Sequence, residues 1–455
     1  MAVTWESNYT LLSQPLLASI VTHLIYIRNG INCTSFLSYE FLSSPYSMKD
    51  STGTDQDYLK RRLVAADALH EAGDLRQAEL LYRELIDRFP DIWQLYFNCG
   101  LLLFESGRHE EALESYLRGL AVNPASDDLL YNAAICQKEL GRYQAAIEFY
   151  LRALAIAPDA IDSLYNLAGC YRSIDDEHRA EDIYREIIRL APDHLPSLNN
   201  LAYLTHKKAE IKSARQLYEK ILEIDPGHVS ADFMRAALSG ETRTHSPGSY
   251  IEEVFDEFAG HYEQSLNAKL GYDLPSSLYD FYAQHLPDHK PEHVLDLGCG
   301  TGLVGEKFST LCRSMTGVDI SGNMLEAAHH KNLYNSLHKA EIIDYLDKCP
   351  GASYGLVISA DVLPYLGSLE ELFKKVLSVL ADGGHFLFSV EDHPDDVLNP
   401  VLQQSGRFAH SKKYVRKVTG QAGWQMIAMT TLDLRKERDD WIQGSIYLMS
   451  PHPVS

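Results

Sequence analysis

The sequence predicts a multidomain chain: an all-α solenoid of helical repeats, followed by an α/β domain built around a glycine-rich loop. Two observations carry this. Prolines stand at 90, 124, 158, 192 and 226, each 34 residues after the last. Later, an apolar strand in His293-Val-Leu-Asp-Leu-Gly-Cys-Gly-Thr-Gly302 runs straight into glycines and then into helix-forming residues. The length of 455 residues suits two or three domains at about 150 residues each. With 45% hydrophobic and 23% charged residues the composition is ordinary for a globular chain. That excludes wholesale disorder, collagen and a disulfide-stapled miniprotein.

Charge is the unusual feature: 41 Lys and Arg against 63 Asp and Glu, a net of -22. It divides almost evenly, -10 over residues 49–245 and -11 over residues 246–455, so no basic tail hides in the average. Such a chain repels phosphate backbones and anionic lipid faces, so neither nucleic acid nor membrane is expected as a partner. Seven cysteines, at 33, 99, 136, 170, 299, 312 and 349, form no CxxC pair. They read as free thiols in a reducing, cytoplasmic compartment, and no metal site is expected.

Residues 1–47 carry only Glu6, Arg28 and Glu40 as charges. Their longest apolar stretch, Pro15 to Ile27, is shorter than the roughly 20 residues of a membrane span. It has no basic segment before it and no clean cleavage site after it, as a signal peptide would. Residues 1–48 are therefore expected to be a flexible or non-native extension, with the working start at Met48. A targeting leader is the alternative.

The repeats come next. Alanines recur at 78, 112, 146, 180 and 214, and tyrosines at 82, 116, 150, 184 and 218, in register with the prolines. The small Ala lets two helices approach closely, the Tyr four residues on shares its face, and the Pro ends the unit. Gly73, Gly107 and Gly141 mark the turn within three units, while Asp175 and Ala209 replace it in the others, where the turn is expected to differ. This period and pattern closely resemble the tetratricopeptide repeat from about Leu59 to Pro226. Five repeats plus a capping helix, Val229 to Leu238, fill residues 49–240.

At one position of successive units stand Asn98, Asn132, Asn166 and Asn200, with Val64 in the first. The resemblance places this helix on the concave side of a solenoid. There the amides form a ladder of paired donors and acceptors for a protein or peptide partner. Solvated amides with no partner are the alternative. Glu105, Asp128 and Glu139 would favour neutral or basic partners.

Residues 241–249 read as a linker and 250–455 as the α/β domain. Gly300-Thr-Gly302-Leu-Val-Gly305 matches the dinucleotide fingerprint, with Asp319 about 20 residues on. The fuller pattern, Asp296-Leu-Gly298-Cys-Gly300-Thr-Gly302, instead resembles motif I of class I S-adenosylmethionine-dependent methyltransferases. Further strands are expected to end near Glu341 and Asp361, and others at His385–Val390, Gln425–Leu434 and Gly444–Met449. About 165 residues from His293 to the terminus leave little room for a dehydrogenase's catalytic domain. The resemblance implies a Rossmann-like, seven-stranded methyltransferase domain that uses S-adenosylmethionine. The cofactor would be bound by Asp296, Gly298, Cys299, Gly300, Gly302, Asp319, Ile320, Met324, Glu341, Ile342 and Ala360. Asp319 would hold the ribose and Glu341, or Asp344, the adenine amino group.

The combination resembles a bacterial group of tetratricopeptide-repeat methyltransferases. In that group the helix Phe255-Asp-Glu-Phe-Ala-Gly-His-Tyr262 would close over the cofactor, and Tyr262 and Arg407 would contact substrate. Asp361, Tyr365 and His410 are the candidates for positioning substrate or removing its proton. Arg407 and His410 either orient an anionic or carbonyl-bearing substrate or tie a loop to the sheet. Asp361-Val-Leu-Pro364-Tyr365 lacks the Asn/Asp-Pro-Pro-aromatic signature of amino methyltransferases that act on DNA bases or glutamine. Three functional readings stand. The solenoid recruits a protein or peptide for methylation; or a small carboxylate or hydroxyl compound is methylated and the solenoid serves assembly; or the chain is a non-catalytic scaffold.

Overall fold

The computed structural model describes residues 53–452, except 260–262, 264–270, 395–396 and 438–439. The expected extension at 1–48 and Tyr262 lie outside the described residues. The chain divides into two compact units at Leu204/Thr205.

The first unit consists of helix pairs. They are α1 (Gly53–Glu71) with α2 (Leu75–Arg88), α3 (Trp93–Glu105) with α4 (His109–Val122), α5 (Asp127–Glu139) with α6 (Tyr143–Ile156), and α7 (Ile161–Ser173) with α8 (Glu177–Leu190). The boundary falls inside α9 (Leu195–Lys207). Each recurrent alanine is fully buried and each recurrent tyrosine at most 4% exposed, as close helix approach requires. Each recurrent proline lies two residues past its helix, where its missing N–H costs nothing. The turns do not differ as expected. Asp175 (φ +61) and Ala209 (φ +63) adopt the left-handed conformation of Gly73, Gly107 and Gly141 (φ +71 to +78). The turn geometry is kept and the side chain bears the strain.

The second unit begins with α10 (Ile211–Ile224), α11 (Val229–Ser239) and α12 (Gly248–Phe258), followed by α13 (Leu274–His285). The capping helix α11, expected to close the repeats before residue 240, also touches the segment that follows it. Phe233 of α11 lies 4.9 Å from the Tyr250 ring and 6.4 Å from that of Phe408, and Ser230 Oγ donates to Glu253 at 2.5 Å.

The sheet has nine strands rather than seven. β1 (His293–Leu297), β2 (Ser314–Asp319), β3 (Ser336–Lys339), β4 (Tyr354–Ser359) and β5 (Leu380–Asp392) run parallel in the order β3-β2-β1-β4-β5. Short strands β6 (Val401–Leu402) and β7 (Phe408–His410) extend it past β5. β8 (Trp424–Glu437) and β9 (Asp440–Pro451) form the expected antiparallel pair, with β9 on β5. Between them lie α14 (Leu303–Phe308), α15 (Gly322–His330), α16 (Ile342–Lys348), α17 (Leu363–Leu366), α18 (Glu370–Val379) and α19 (Lys412–Gln421). Apolar cores fill both faces of the sheet, as parallel strands require. β3 ends at Lys339, two residues before Glu341, which stands at the N-cap position of α16 without a side-chain cap bond. No helix among the described residues is long and apolar enough to cross a membrane.

Candidate active site

The reversal of strand order between β2-β1 and β4 places a crevice at the carboxyl ends of the strands, where open α/β sheets bind ligands. A cavity of about 700 Å³ lies there. Its floor is the loop after β1, with φ of +73° at Gly298 and +51° at Gly300, conformations open to glycine. A Cβ on Gly298 would strike the Val362 side chain, whereas one on Gly300 would meet nothing within 4 Å. The loop is therefore pressed against its support on one side and open on the other.

Asp319, at the end of β2, ties this loop down. Its Oδ2 accepts from the Gly300 N–H at 2.8 Å and its Oδ1 from the Ser321 N–H at 2.9 Å. Burial pushes its carboxyl up, and these N–H bonds oppose that. The Ile320 N–H bonds the carboxylate as well, which leaves one of its four acceptor sites for a ligand hydroxyl. Of the expected cofactor residues, Gly298, Gly300, Asp319, Ile320, Met324, Glu341, Ile342 and Ala360 line the cavity, as does Asp344.

Asp296, Cys299 and Gly302 do not line it. Asp296 is fully buried behind the loop, and its Oδ2 accepts from the Tyr334 hydroxyl at 2.7 Å. Its Oδ1 has no partner, and burial pushes the carboxyl up to about 7. An orphaned buried oxygen beneath a glycine cradle fits a cofactor with a donor to offer. Cys299 is buried and its thiol is pushed well up by desolvation, so it packs rather than reacts. Tyr334 escaped the sequence reading because nothing local links it to a residue 38 positions away.

One wall is α12, whose Ile251 and Phe255 face the cavity. The helix is pinned through Asp256. Its Oδ1 accepts from Ser321 Oγ at 2.6 Å and the Asn323 N–H at 3.3 Å, and its carbonyl accepts from Asn323 Nδ2 at 3.0 Å. The segment expected to be a linker is part of the site as well. His245, Ser246 and Gly248 line the cavity; the Ser246 N–H donates to the Tyr365 carbonyl at 3.3 Å and the Ser368 N–H to that of Thr244 at 2.8 Å.

Asp361 and Tyr365 line the same cavity. Behind them sits a buried ion cluster drawn from four parts of the chain. Arg407 contacts Asp361 at 2.5 Å, Glu391 at 2.5 Å and the Tyr365 hydroxyl at 2.6 Å. Arg435 contacts Glu391 at 2.7 Å and Asp361 at 3.4 Å. Burial pushes the Glu391 carboxyl up, but the two guanidinium charges outweigh it and hold it below the usual value. Asp361 itself has φ +58°, a strain of the kind that collects at functional sites. Arg407 is 11% exposed and lies behind Asp361 and Tyr365, so it supports these residues rather than lining the cavity as expected of a substrate contact.

His410 is drawn elsewhere. It is fully buried, its Nε2–H donates to the Gly367 carbonyl at 2.7 Å, and burial pushes its pKa down to about 4. It does not reach the cavity, so its place is structural and the expectation of proton removal finds no geometric support.

The ladder amides are already engaged within the first unit. Asn166 Nδ2 donates to the Tyr131 hydroxyl at 3.2 Å, and its Oδ1 accepts from Lys138 at 3.1 Å. Asn200 pairs likewise with Tyr165 at 3.1 Å and Arg172 at 2.7 Å. Asn98 donates to Asp67 at 3.4 Å, and Asn132 is buried and donates to the Asp128 carbonyl at 2.8 Å. No cluster of three or more His, Cys, Asp or Glu among the described residues could hold a metal.

Comparison with known proteins finds relatives for both parts of the chain. A family model described as a methyltransferase domain matches residues 270–430. Models of the tetratricopeptide repeat match residues 63–121, 100–161, 161–194 and 195–228. Malonyl-[acyl-carrier protein] O-methyltransferase of Bacillus cereus is 28% identical over 148 residues, which are 31% of this chain and 53% of that protein. The 18S rRNA (guanine-N(7))-methyltransferase of Bos taurus is 26% identical over 133 residues, 27% of this chain and 47% of that protein. The chain thus spans about half the length of the curated relatives it matches. Among solved structures, the N-methyltransferase NodS of Bradyrhizobium japonicum in complex with S-adenosyl-L-homocysteine is 16% identical. The match covers 39% of this chain and 87% of that one, with a TM-score of 0.32. Residues 63–228 of the chain belong to the tetratricopeptide repeats, and residues 270–430 belong to the methyltransferase-domain family.

Proposed function

We propose that the chain transfers a methyl group from S-adenosylmethionine to a protein or peptide substrate recruited by the tetratricopeptide repeats. The observation that carries this is the cavity floored by Gly298, Gly300 and Asp319 at the carboxyl ends of the strands. When bound, the cofactor supplies a methyl already activated on a sulfonium. Asp319 offers its remaining lone pair to a ribose hydroxyl, and Glu341 or Asp344 accepts from the adenine amino group. Ile320, Met324 and Ile342 provide apolar surface for the base. Phe255 and Tyr365, edge to face at 5.2 Å, screen the outer side from water. The ion cluster fixes Asp361 and Tyr365 where an acceptor must be aligned.

The engaged amides of Asn166 and Asn200 favour a second reading, a small-molecule substrate with the repeats used for assembly. Calorimetric titration of the full chain with S-adenosyl-L-homocysteine tests the cofactor site. Binding is expected, and Asp319→Ala should weaken it about tenfold or more; an unchanged affinity refutes the assignment. Tritiated methyl transfer into a cell lysate tests recruitment. Label in protein supports it, and label confined to small molecules supports the second reading instead.

A further inference from the structure

Besides the residues assigned to the cofactor, the cavity lining includes Asp361, Tyr365, Phe255, Glu370, Glu371 and His245. No Lys or Arg is among the described residues that line the cavity, and His245 is the one lining side chain there able to carry positive charge. The nearby guanidinium groups are spent: Arg407 and Arg435 are matched by Asp361 and Glu391, so that cluster is neutral as a whole. Glu370 is held by the Tyr414 hydroxyl at 2.9 Å, and Glu371 is exposed, with Lys375, itself bonded to Asp347, one turn further along the helix. A carboxylate acceptor would meet negative charge with no donor cation, an arrangement that repels it. A cation would meet the Glu370 and Glu371 carboxylates and the Phe255 ring, the Tyr365 ring already carrying the Arg407 guanidinium at 4.6 Å. These carboxylates also offset the repulsion between an ammonium and a sulfonium.

We propose that the acceptor enters as a positively charged nitrogen, a primary ammonium such as a lysine side chain or a chain N-terminus, and that this is a nitrogen-methylating site. The proposal rests on the methyltransferase reading and narrows it. For transfer, the ammonium sheds one proton to water past the exposed Glu371, which frees its lone pair. The N–C bond then forms as the carbon–sulfur bond breaks, so the positive charge passes to the methylated nitrogen and a neutral thioether remains.

The test uses the full chain saturated with S-adenosyl-L-homocysteine and three probes of similar size: n-butylammonium, n-butanol and butyrate. Saturation-transfer NMR is expected to detect n-butylammonium and not butyrate. Glu371→Gln alone, at an exposed position, and Glu370→Gln/Glu371→Gln together should each weaken ammonium binding, the pair by about threefold or more. Their S-adenosyl-L-homocysteine affinity, read by calorimetry, should be unchanged, which separates a binding effect from misfolding. Butyrate binding as well as the ammonium overturns the proposal, as does ammonium binding indifferent to both variants. A chain that binds S-adenosyl-L-homocysteine but no ammonium refutes this inference alone; a chain that binds neither refutes the methyltransferase reading with it.

Discussion

Asp296 concentrates the conflict between stability and function in one side chain. It is fully buried, one oxygen has no partner, and burial pushes its carboxyl up to about 7, against about 3.9 in an unfolded chain. A folded pKa raised in this way favours the native state below the unfolded value, and that advantage is lost as pH rises through the folded one. Asp296→Asn cannot ionise. Its melting temperature should therefore match the parent near pH 4 and exceed it at pH 8, by an amount equivalent to at most about 4 kcal/mol. Calorimetric melts at both pH values check this, and a pH-independent difference contradicts it. Affinity for S-adenosyl-L-homocysteine should fall in the same variant if the orphaned oxygen serves the cofactor.

Helices and their turns show how much could be read in advance. Where a pattern recurs, as with the alanines, tyrosines and prolines, the repeat fold was legible because each position is tested five times. The glycine loop was legible for a different reason: strand, loop and acid lie within about thirty residues, and glycine adopts that backbone without strain. What stayed hidden depends on distance along the chain. Arg435 meets Asp361 across 74 positions and Tyr334 meets Asp296 across 38, and neither leaves a local mark. His410 was noticed for its chemistry, but its burial could not be foreseen. The turns were misjudged because residue type was taken for geometry. Ala209 keeps φ +63° with no glycine to ease it. Ala209→Gly should therefore stabilise the chain by about 0.5–1 kcal/mol, the left-handed strain outweighing the added freedom of the unfolded glycine. A rise in the urea midpoint at unchanged slope would show it, and a fall would mean that the turn is not strained.

At the scale of the molecule, the repeats and the compact units do not share a boundary. Sequence periodicity places the domain edge near residue 240, whereas the split into compact units falls at Leu204/Thr205, inside α9. The reason is that α11 ends a solenoid and also covers part of the α/β domain. Phe233 is 2% exposed between Tyr250 and Phe408, and Met234 lies where a side chain on Gly406 would stand. Burying one such phenylalanine is worth about 1.5–3 kcal/mol, and the segment 244–246 bonds to the backbone of Tyr365, in α17, and of Ser368 beyond it. Two truncated chains separate the boundaries. One beginning at Asp193, which keeps α9 to α11 whole, should melt cooperatively and bind S-adenosyl-L-homocysteine like the full chain. One beginning at Ser246 should lose several kcal/mol of stability, expose the Tyr250 and Phe408 faces, and bind the ligand more weakly or aggregate. Equal stability and equal affinity in both would show that α11 rests on the α/β domain without supporting its site, and that the edge near 240 is the physical one.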